Sequence, residues 1–211
     1  LDRLLTMAEE EGLYVIPRAG PYVNAELTRG GFPGWLVNQR ARARTDDPDY
    51  LKAADEWLSH INPIIARHQI NADPKRKYGV ILHQIENELA LTTPAQRRYM
   101  DHIFAKARAD GITVPIFHND QGRNGYWTPE SSSVDKVVTG PNDMYAIDGY
   151  PGGTCTVEGE PTRGSAAPDW GYYGPGGPKG GASASPDTPG FLAEFGGGWF
   201  DYWGSNGGYD C

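Results

Sequence analysis

The chain of 211 residues has only 19 lysines and arginines, and it lacks a long apolar run. Its formal net charge is −8, and it contains no basic stripe with interleaved aromatic residues, so we expect no nucleic acid partner. No apolar run approaches the roughly 18 residues of a membrane helix, so we expect that the chain does not cross a membrane. The five histidines show no metal-ligand pattern, and we predict neither a metal nor a cofactor. The acidic balance suits a protein that handles a neutral ligand.

Cysteine is also scarce, because Cys155 and Cys211 are the only two. Two independent buried thiols are one interpretation of this pair. Both residues, however, lie in loop-like stretches rich in glycine and proline, where a thiol is poorly buried. This placement favours a disulfide and a secreted or extracellular setting. Such a bond would contribute roughly 4 kcal/mol by restricting the unfolded chain.

Internal repeats and breaks in composition are absent, so we expect one domain over residues 1–211. Amphipathic helices are predicted over residues 1–12, from Asp47 toward residue 69 with a kink or break at Pro63, and from Thr93 to Gly111. Between them lie short apolar segments that read as strands: LYVIPR (13–18), GVILHQ (79–84), ITVPIF (112–117), MYAID (144–148) and GFLAEF (190–195). Residues 152–189 read as a long loop. The alternation predicts an α/β fold with a parallel sheet covered by helices.

Two architectures fit this alternation, an open doubly wound sheet and a (β/α)8 barrel. An open nucleotide-binding sheet usually has a glycine-rich phosphate loop after its first strand, and RAGPYVNAE lacks that spacing. Polar residues instead follow each predicted strand, as in an active site at the carboxyl ends of barrel strands. They are Asn24 and Glu26, Asn87 and Glu88, His118 to Asp120, Tyr150, and Glu194.

The segment HQIENEL (83–89) follows the run KYGVIL and has two interpretations. Glu86 and Glu88 could belong to a polar turn before the next helix. Alternatively, the strand could hold a catalytic acid, provided that a second carboxylate lies at another strand end. Glu194, at the end of the last predicted strand, supplies one. Glycoside hydrolysis uses such a pair, one carboxyl as acid/base and the other as nucleophile or base.

Five motifs in order, GPYVNAE, GGFPGWL, QIENE, DGYP and EFGGGWFDYWG, resemble the catalytic barrel of glycoside hydrolase family 35, the β-galactosidases. The resemblance covers essentially the whole chain. It implies a (β/α)8 TIM barrel in which Glu88 is the general acid/base and Glu194 the nucleophile. The positions that match the galactose-binding residues of the family are Asn24, Ala25, Glu26, Asn87 and Tyr150.

Further residues of the chain can be considered beside this resemblance. Cys155 and Cys211 fall where fungal members of the family carry a disulfide, and Glu86 is expected to support the site without performing chemistry. Trp35, Trp199 and Trp203 are candidate platforms for sugar stacking, although core or loop packing is the alternative for each. Leu89 stands where an aromatic residue commonly follows the acid/base, and Ala19 replaces a usual proline. Neither departure touches the reacting groups.

The five predicted strands correspond to the third to seventh of the barrel, so the fold expected here is an incomplete TIM barrel. We therefore expect the chain to be a piece of a longer protein that adds the other barrel strands and β-domains. The implied function is the release of terminal β-D-galactose by a retaining double displacement. The alternatives are another retaining glycosidase of the same clan and a catalytically inactive galactoside-binding fragment.

The cysteine pattern yields a first prediction, a disulfide between Cys155 and Cys211. Peptide mapping without reduction, on protein produced under oxidising conditions, should recover the two cysteines in one cross-linked peptide pair. Recovery of both as free thiols would refute the prediction.

Overall fold

The computed structural model of the chain describes residues 1–24, 27–90, 92–122, 124–131, 138–149, 155–157, 160–162 and 184–195. Its α-helices are α1 (Asp2–Glu10), α2 (Gly34–Val37), α3 (Pro48–Arg67) and α4 (Pro94–Ala109), with a 3-10 turn at Thr28–Gly31. Its strands are β1 (Tyr14–Val15), β2 (Arg18–Gly20), β3 (Gly79–Val80), β4 (His83–Ile85), β5 (Ile116–Asp120), β6 (Tyr126–Pro129), β7 (Val138–Gly140), β8 (Met144–Gly149), β9 (Cys155–Val157), β10 (Glu160–Thr162) and β11 (Leu192–Phe195).

A five-stranded parallel sheet organises the molecule. Its strand order is β11-β8-β5-β4-β2, and every neighbouring pair runs parallel. The chain thus adds each strand beside the previous one in a single direction, whereas a doubly wound sheet reverses its order part-way. The prediction of an α/β fold with a parallel sheet is confirmed. All five carboxyl ends lie at one edge of the sheet.

The two long helices begin where the sequence predicts. The Asp47 side chain caps α3 by accepting from the N–H groups of Asp49 (3.1 Å) and Tyr50 (3.4 Å). Helix α4 begins with a capping box, in which the Thr93 hydroxyl accepts from Gln96 N–H and the Gln96 side chain accepts from Thr93 N–H. Of the kink or division expected at Pro63, the division is wrong, because α3 continues through it to Arg67. Within the described ranges, no helix is long and apolar enough to cross a membrane.

The first two predicted strands are each interrupted. LYVIPR forms β1 and β2, and GVILHQ forms β3 and β4, with short gaps between the two pairs. Pro17 has no N–H to give to a ladder, which accounts for the gap in the first segment. The two segments stay together across the gap, since Ile81 N–H donates to Val15 O and Gln84 N–H to Pro17 O, each at 3.0 Å.

The third strand starts later than predicted, at Ile116, and ends later, at Asp120. The Gln69 side chain accepts from the N–H groups of Thr113 (2.6 Å) and Val114 (3.0 Å), which are therefore not available to the sheet. The prediction of an unbroken loop over residues 152–189 is also wrong, because β9 and β10 pair antiparallel within it. The pattern also missed the parallel pair of β6 and β7.

The main hydrophobic core lies between the sheet and helices α3 and α4. Buried side chains from both layers pack together, and they include Tyr50, Leu58, Ile65, Val80, Ile85, Tyr99, Met100, Ile103, Ile112 and Ile116. Close packing of this kind transmits strain and resists displacement. The strand ends are therefore mounted on a rigid layer.

His83 is fully buried in β4, and neither of its ring nitrogens has a hydrogen-bond partner among the described residues. Burial lowers its pKa from 6.5 to about 4, and the positive charge of Arg108 acts in the same direction. Between these two values the unfolded chain binds a proton that the folded chain excludes. The free energy of unfolding therefore falls as the pH falls through that window.

We predict that His83→Leu will remove part of this acid sensitivity. Between pH 6 and pH 4.5 the slope of the unfolding free energy against pH should decrease by up to about 1.4 kcal/mol per pH unit. Urea unfolding at several pH values measures the slope. His60→Leu, at an exposed position on α3, is the matched control and should leave the slope unchanged. An unaltered slope in the His83 variant would contradict the assignment.

Candidate active site

The Asn119 side chain lies at the centre of the carboxyl edge of the sheet. Its Nδ2 group donates to Asn87 Oδ1 (3.1 Å), to Asp148 Oδ1 (2.9 Å) and to Glu194 Oε1 (3.1 Å). Its Oδ1 accepts from Gln84 Nε2 (2.5 Å) and from Glu88 N–H (3.4 Å). One amide thus joins groups from the ends of β4, β8 and β11. The structure brings Glu88 and Glu194 into one cluster despite their distance in sequence.

Glu194 faces both a cation and an amide. Arg18, in edge strand β2, lies with its Nη2 2.6 Å from Glu194 Oε1, and both side chains are partly exposed. The same oxygen accepts from Asn119 Nδ2. The carboxylate is therefore held in one orientation while its side chain stays partly exposed. Sequence patterns gave no signal for Arg18, because nothing local links it to a strand far along the chain.

Asp148 is a third carboxyl in the cluster, and it pairs in register with Glu194 on the neighbouring strand. It is buried, with only 4% of its surface exposed. Desolvation raises its pKa to about 9, a hydrogen bond with Glu88 adds to the rise, and the charge of Glu194 adds further. Asp148 is thus protonated at neutral pH. Its position at a strand end was visible in the sequence, but its neutral state depends on neighbours from other strands.

The segment from Glu86 to Glu88 has an unusual backbone. Glu86 (φ 60°) and Glu88 (φ 48°) both adopt the left-handed conformation, which non-glycine residues rarely occupy. Such conformations cost about 1–3 kcal/mol each and persist where surrounding contacts fix them. The sequence interpretation of HQIENEL as a solvated polar turn does not fit, because Glu86 and Asn87 are buried.

The Glu86 carboxylate, which is fully buried, accepts four hydrogen bonds. Arg44 donates from Nε to Oε1 (3.1 Å) and from Nη2 to Oε2 (2.7 Å), the Tyr99 hydroxyl donates to Oε1 (2.8 Å), and Asn87 N–H donates to Oε2 (2.8 Å). Desolvation raises the pKa of Glu86, and the Arg44 guanidinium and the other donors oppose that rise. Burial lowers the pKa of Arg44, but Glu86, together with Tyr99 and Tyr22, raises it by more. The donor set suits an ionised carboxylate.

Leu89, the residue after Glu88, is held at both of its backbone polar groups. Its N–H donates to His118 Nε2 (2.9 Å), and its carbonyl accepts from Trp127 Nε1 (2.5 Å). Burial lowers the pKa of His118 to about 3, so its ring stays neutral and Nε2 remains an acceptor. Glu88 itself is half-buried, and the Asn87 side chain donates to its Oε2 at 3.4 Å. The acid/base candidate is therefore flanked by fixed residues and remains partly exposed.

Asn24 follows β2 and also has a positive φ, of 61°. The Tyr22 hydroxyl donates to its Oδ1 at 3.1 Å. Of the other predicted substrate-binding residues, Ala25, Glu26 and Tyr150 lie outside the described residues, as does Cys211. Cys155, expected in a loop, instead begins β9.

The tryptophans predicted as stacking platforms are only partly described. Trp35 is 56% exposed and lines an apolar groove that also contains Trp57, whose Nε1 donates to Ala19 O at 2.7 Å. Trp199 and Trp203 lie outside the described residues. The groove places Trp35 near the start of the loop that carries Asn24.

The geometry is that of an acid/base site with two partly exposed carboxylates, amide donors and two guanidinium groups at the carboxyl edge of a parallel sheet. That arrangement is typical of glycosidases, whose chemistry needs paired carboxyl groups. A family model described as "Glycosyl hydrolases family 35" matches residues 1–211. The chain belongs to glycosyl hydrolase family 35.

Curated relatives cover the whole length of the chain. "Probable beta-galactosidase A" of Aspergillus fumigatus is 37% identical over 227 residues, which span 100% of this chain and 20% of the relative. "Probable beta-galactosidase C" of Neosartorya fischeri is 38% identical over 214 residues, which span 98% of this chain and 20% of the relative. The chain thus spans about a fifth of the length of the curated relatives it matches.

Among solved structures, a β-glucuronidase from Ruminococcus gnavus in complex with uronic deoxynojirimycin matches with a TM-score of 0.42 and 17% identity. The match covers 71% of this chain and 21% of that one. This likeness is too distant to support a conclusion about the present fold or site.

The protonated state of Asp148 leads to a prediction about stability. Because its folded pKa is raised from 3.8 to about 9, the folded chain keeps a proton that the unfolded chain has released. Stability is then lost as the pH rises through this window. Asp148→Asn, which imitates the protonated group, should therefore stabilise the protein relative to wild type, and by more at pH 8 than at pH 5.

Thermal unfolding at the two pH values measures this difference. Asp187→Asn, at an exposed position before β11, is the control and should not change with pH in this way. If the Asp148 variant loses stability on going from pH 5 to pH 8 as steeply as wild type, Asp148 is ionised in the folded protein.

Proposed function

We propose that the chain forms the catalytic part of a retaining β-galactosidase that releases terminal β-D-galactose from β-galactosides. The observation that carries the proposal is the convergence of Glu88 and Glu194 on Asn119, in a chain whose relatives are named β-galactosidases. Glycoside hydrolysis requires a pair of carboxyl groups, and this pair lies at the carboxyl edge of one sheet. A carbohydrate substrate follows from the family.

We propose further that the fold is part of a (β/α)8 TIM barrel, about its third to seventh strands. Sequential, parallel strand order supports this, because a barrel grows by adding each strand beside the last. In the described sheet, β2 and β11 are the two edges, and the edge of a sheet is where a further strand can pair. Since the chain spans about a fifth of its relatives, the remaining barrel strands and β-domains of a longer protein are the proposed partners.

The first chemical step uses the two carboxyl groups in opposite roles. Glu194, as carboxylate, attacks the anomeric carbon, and Glu88, as acid, protonates the departing glycosidic oxygen. This produces a covalent galactosyl ester on Glu194 and releases the aglycone. Arg18 and Asn119 hold the attacking carboxylate in place before the step.

In the second step Glu88 acts as base and takes a proton from water, whose oxygen attacks the anomeric carbon. The bond to Glu194 breaks, and β-galactose leaves with its configuration retained. Asp148, whose pKa is raised by desolvation and by the neighbouring Glu88 and Glu194, limits the negative charge that accumulates in the cluster. Neither step requires a metal or another cofactor.

Binding of galactose is assigned to residues around this pair. Asn87, the neighbour of Glu88, is proposed to bond the 2-hydroxyl, where hydrogen bonds strengthen in the transition state. Asn24, Ala25, Glu26 and Tyr150 are proposed to bind the other hydroxyls. A secreted or extracellular location, with Cys155 bonded to Cys211, belongs to the same proposal.

The division of labour can be tested with two variants of the longer protein. Glu194→Gln should abolish activity on every galactoside, because no glycosyl-enzyme forms. Glu88→Gln should impair lactose about 10²–10⁴-fold but a dinitrophenyl galactoside far less, since that phenolate departs without protonation. Azide should restore turnover of the dinitrophenyl substrate by the Glu88 variant and yield the β-azide.

The stereochemistry of the azide product separates the two carboxylates. An α-azide from Glu88→Ala would mean that the nucleophile and the acid/base have been exchanged. Equal, modest losses in both variants would show that neither residue carries the chemistry. Glu130→Gln, at an exposed position after β6, is the matched control and should retain activity on both substrates.

A further inference from the structure

We propose that the partly exposed Arg44 and the buried Glu86 are a positioning pair, which fixes Asn87 and Glu88 in their working geometry and joins that segment to the Asn24 loop. The inference rests on the proposed function, because it assigns a purpose to the pair only if Glu88 is the acid/base. Neither Arg44 nor Glu86 is placed to touch the reacting atoms. Both act through the residues that they hold.

Arg44 contacts both sides of the site. It donates twice to the Glu86 carboxylate and once to the carbonyl of Asn87, the last at 2.5 Å. On its other face the guanidinium carbon lies 4.0 Å from the centre of the Tyr22 ring, and the Tyr22 hydroxyl donates to Asn24. A single planar group therefore touches the segment before Glu88 and the residue that orients Asn24.

The backbone explains why such an anchor is needed. The two left-handed residues on either side of Asn87 would relax to extended or helical conformations without outside constraint. His118 and Trp127 fix the far side of Glu88 through Leu89, as described above. On the near side the contacts that do this come from Arg44 and from Glu86, whose carboxylate also receives the N–H of Asn87. The acid/base is thereby held between two fixed points.

Stability alone does not account for a pair of this kind. Removing two charges from water is costly, and replacing a buried ion pair by apolar groups is often neutral or stabilising. The planar guanidinium offers what apolar packing cannot, since its donors have fixed directions that select one arrangement of two carboxylate oxygens and one carbonyl. Lysine in its place keeps the charge but loses that fork. The substitution Arg44→Lys therefore separates geometry from charge.

Arg108 provides a matched control in the same domain. It also donates to two backbone carbonyls, of Ile112 and Val114, and pairs with the carboxylate of Asp143. Asp143 accepts from the N–H of Ile116, at the first residue of β5, so this pair lies at the opposite end of the sheet from the site. Arg108→Lys therefore makes the same chemical change away from Glu88.

The test compares two substrates in the longer protein. For Arg44→Lys we expect kcat/KM on lactose to fall about 100-fold, as a displaced catalytic group would cause. On a dinitrophenyl galactoside, which does not need the acid, the loss should be at least about tenfold smaller. The thermal unfolding midpoint should stay near that of wild type. Arg108→Lys should leave the ratio of the two substrates unchanged.

Equal losses on the two substrates, or losses that follow the unfolding midpoint, would overturn the inference and leave the pair a structural one. If Arg44→Lys does not fold, the uncharged double variant Arg44→Met/Glu86→Gln is measured in its place by the same ratio. Glu88→Gln is assayed alongside. If Glu88→Gln loses more activity on lactose than on the dinitrophenyl galactoside and the Arg44 variant does not, only this inference fails. If Glu88→Gln also shows no difference between the two substrates, the proposed function fails as well.

Discussion

The crowding of carboxyl groups at one edge of the sheet is the constraint on which the site depends. Parallel strands in sequential order end side by side, so Glu88, Asp148 and Glu194 lie close to one another at this edge. Like charges at this distance cannot all remain ionised without cations or donors. The molecule meets the constraint in three ways: Asp148 keeps its proton, Glu194 faces the Arg18 guanidinium, and the Asn119 amide donates to both Asp148 and Glu194.

This arrangement requires precise placement of the carboxyl groups, and it comes with strained backbone conformations. Glu86 and Glu88 adopt conformations that an unconstrained chain avoids. They persist because contacts on both sides of the segment, from α4 and β5 as well as from loops, leave no alternative. Those contacts are rigid in turn because the helices pack closely on the sheet. A core of ordinary apolar residues is thus what allows a strained polar segment to stand at its edge.

Local signals in the sequence predicted most of the helices and strands. The caps at Asp47 and Thr93 were predictable because each depends on residues within one turn. The strands were found but their limits were not, since the delayed start of β5 depends on the distant side chain of Gln69. In the site, the convergence of Glu88 and Glu194 followed from fold type. The contribution of Arg44 could not be predicted in this way, because the role of an arginine in a loop depends on the residues that pack against it in the folded chain.

The different environments of the two glutamates of HQIENEL could not be predicted from the sequence pattern. In a regular strand, residues two apart point to the same face, so Glu86 and Glu88 would share one environment. The left-handed turn at Glu86 cancels that alternation. The Glu86 carboxylate consequently lies fully buried against a guanidinium, whereas Glu88 is half-buried. Two glutamate side chains can therefore have different roles. The carboxylate of Glu86 has permanent partners, which suits it to fix the positions of its neighbours. Glu88 has to exchange a proton with substrate and water, and this requires the more exposed position that it occupies.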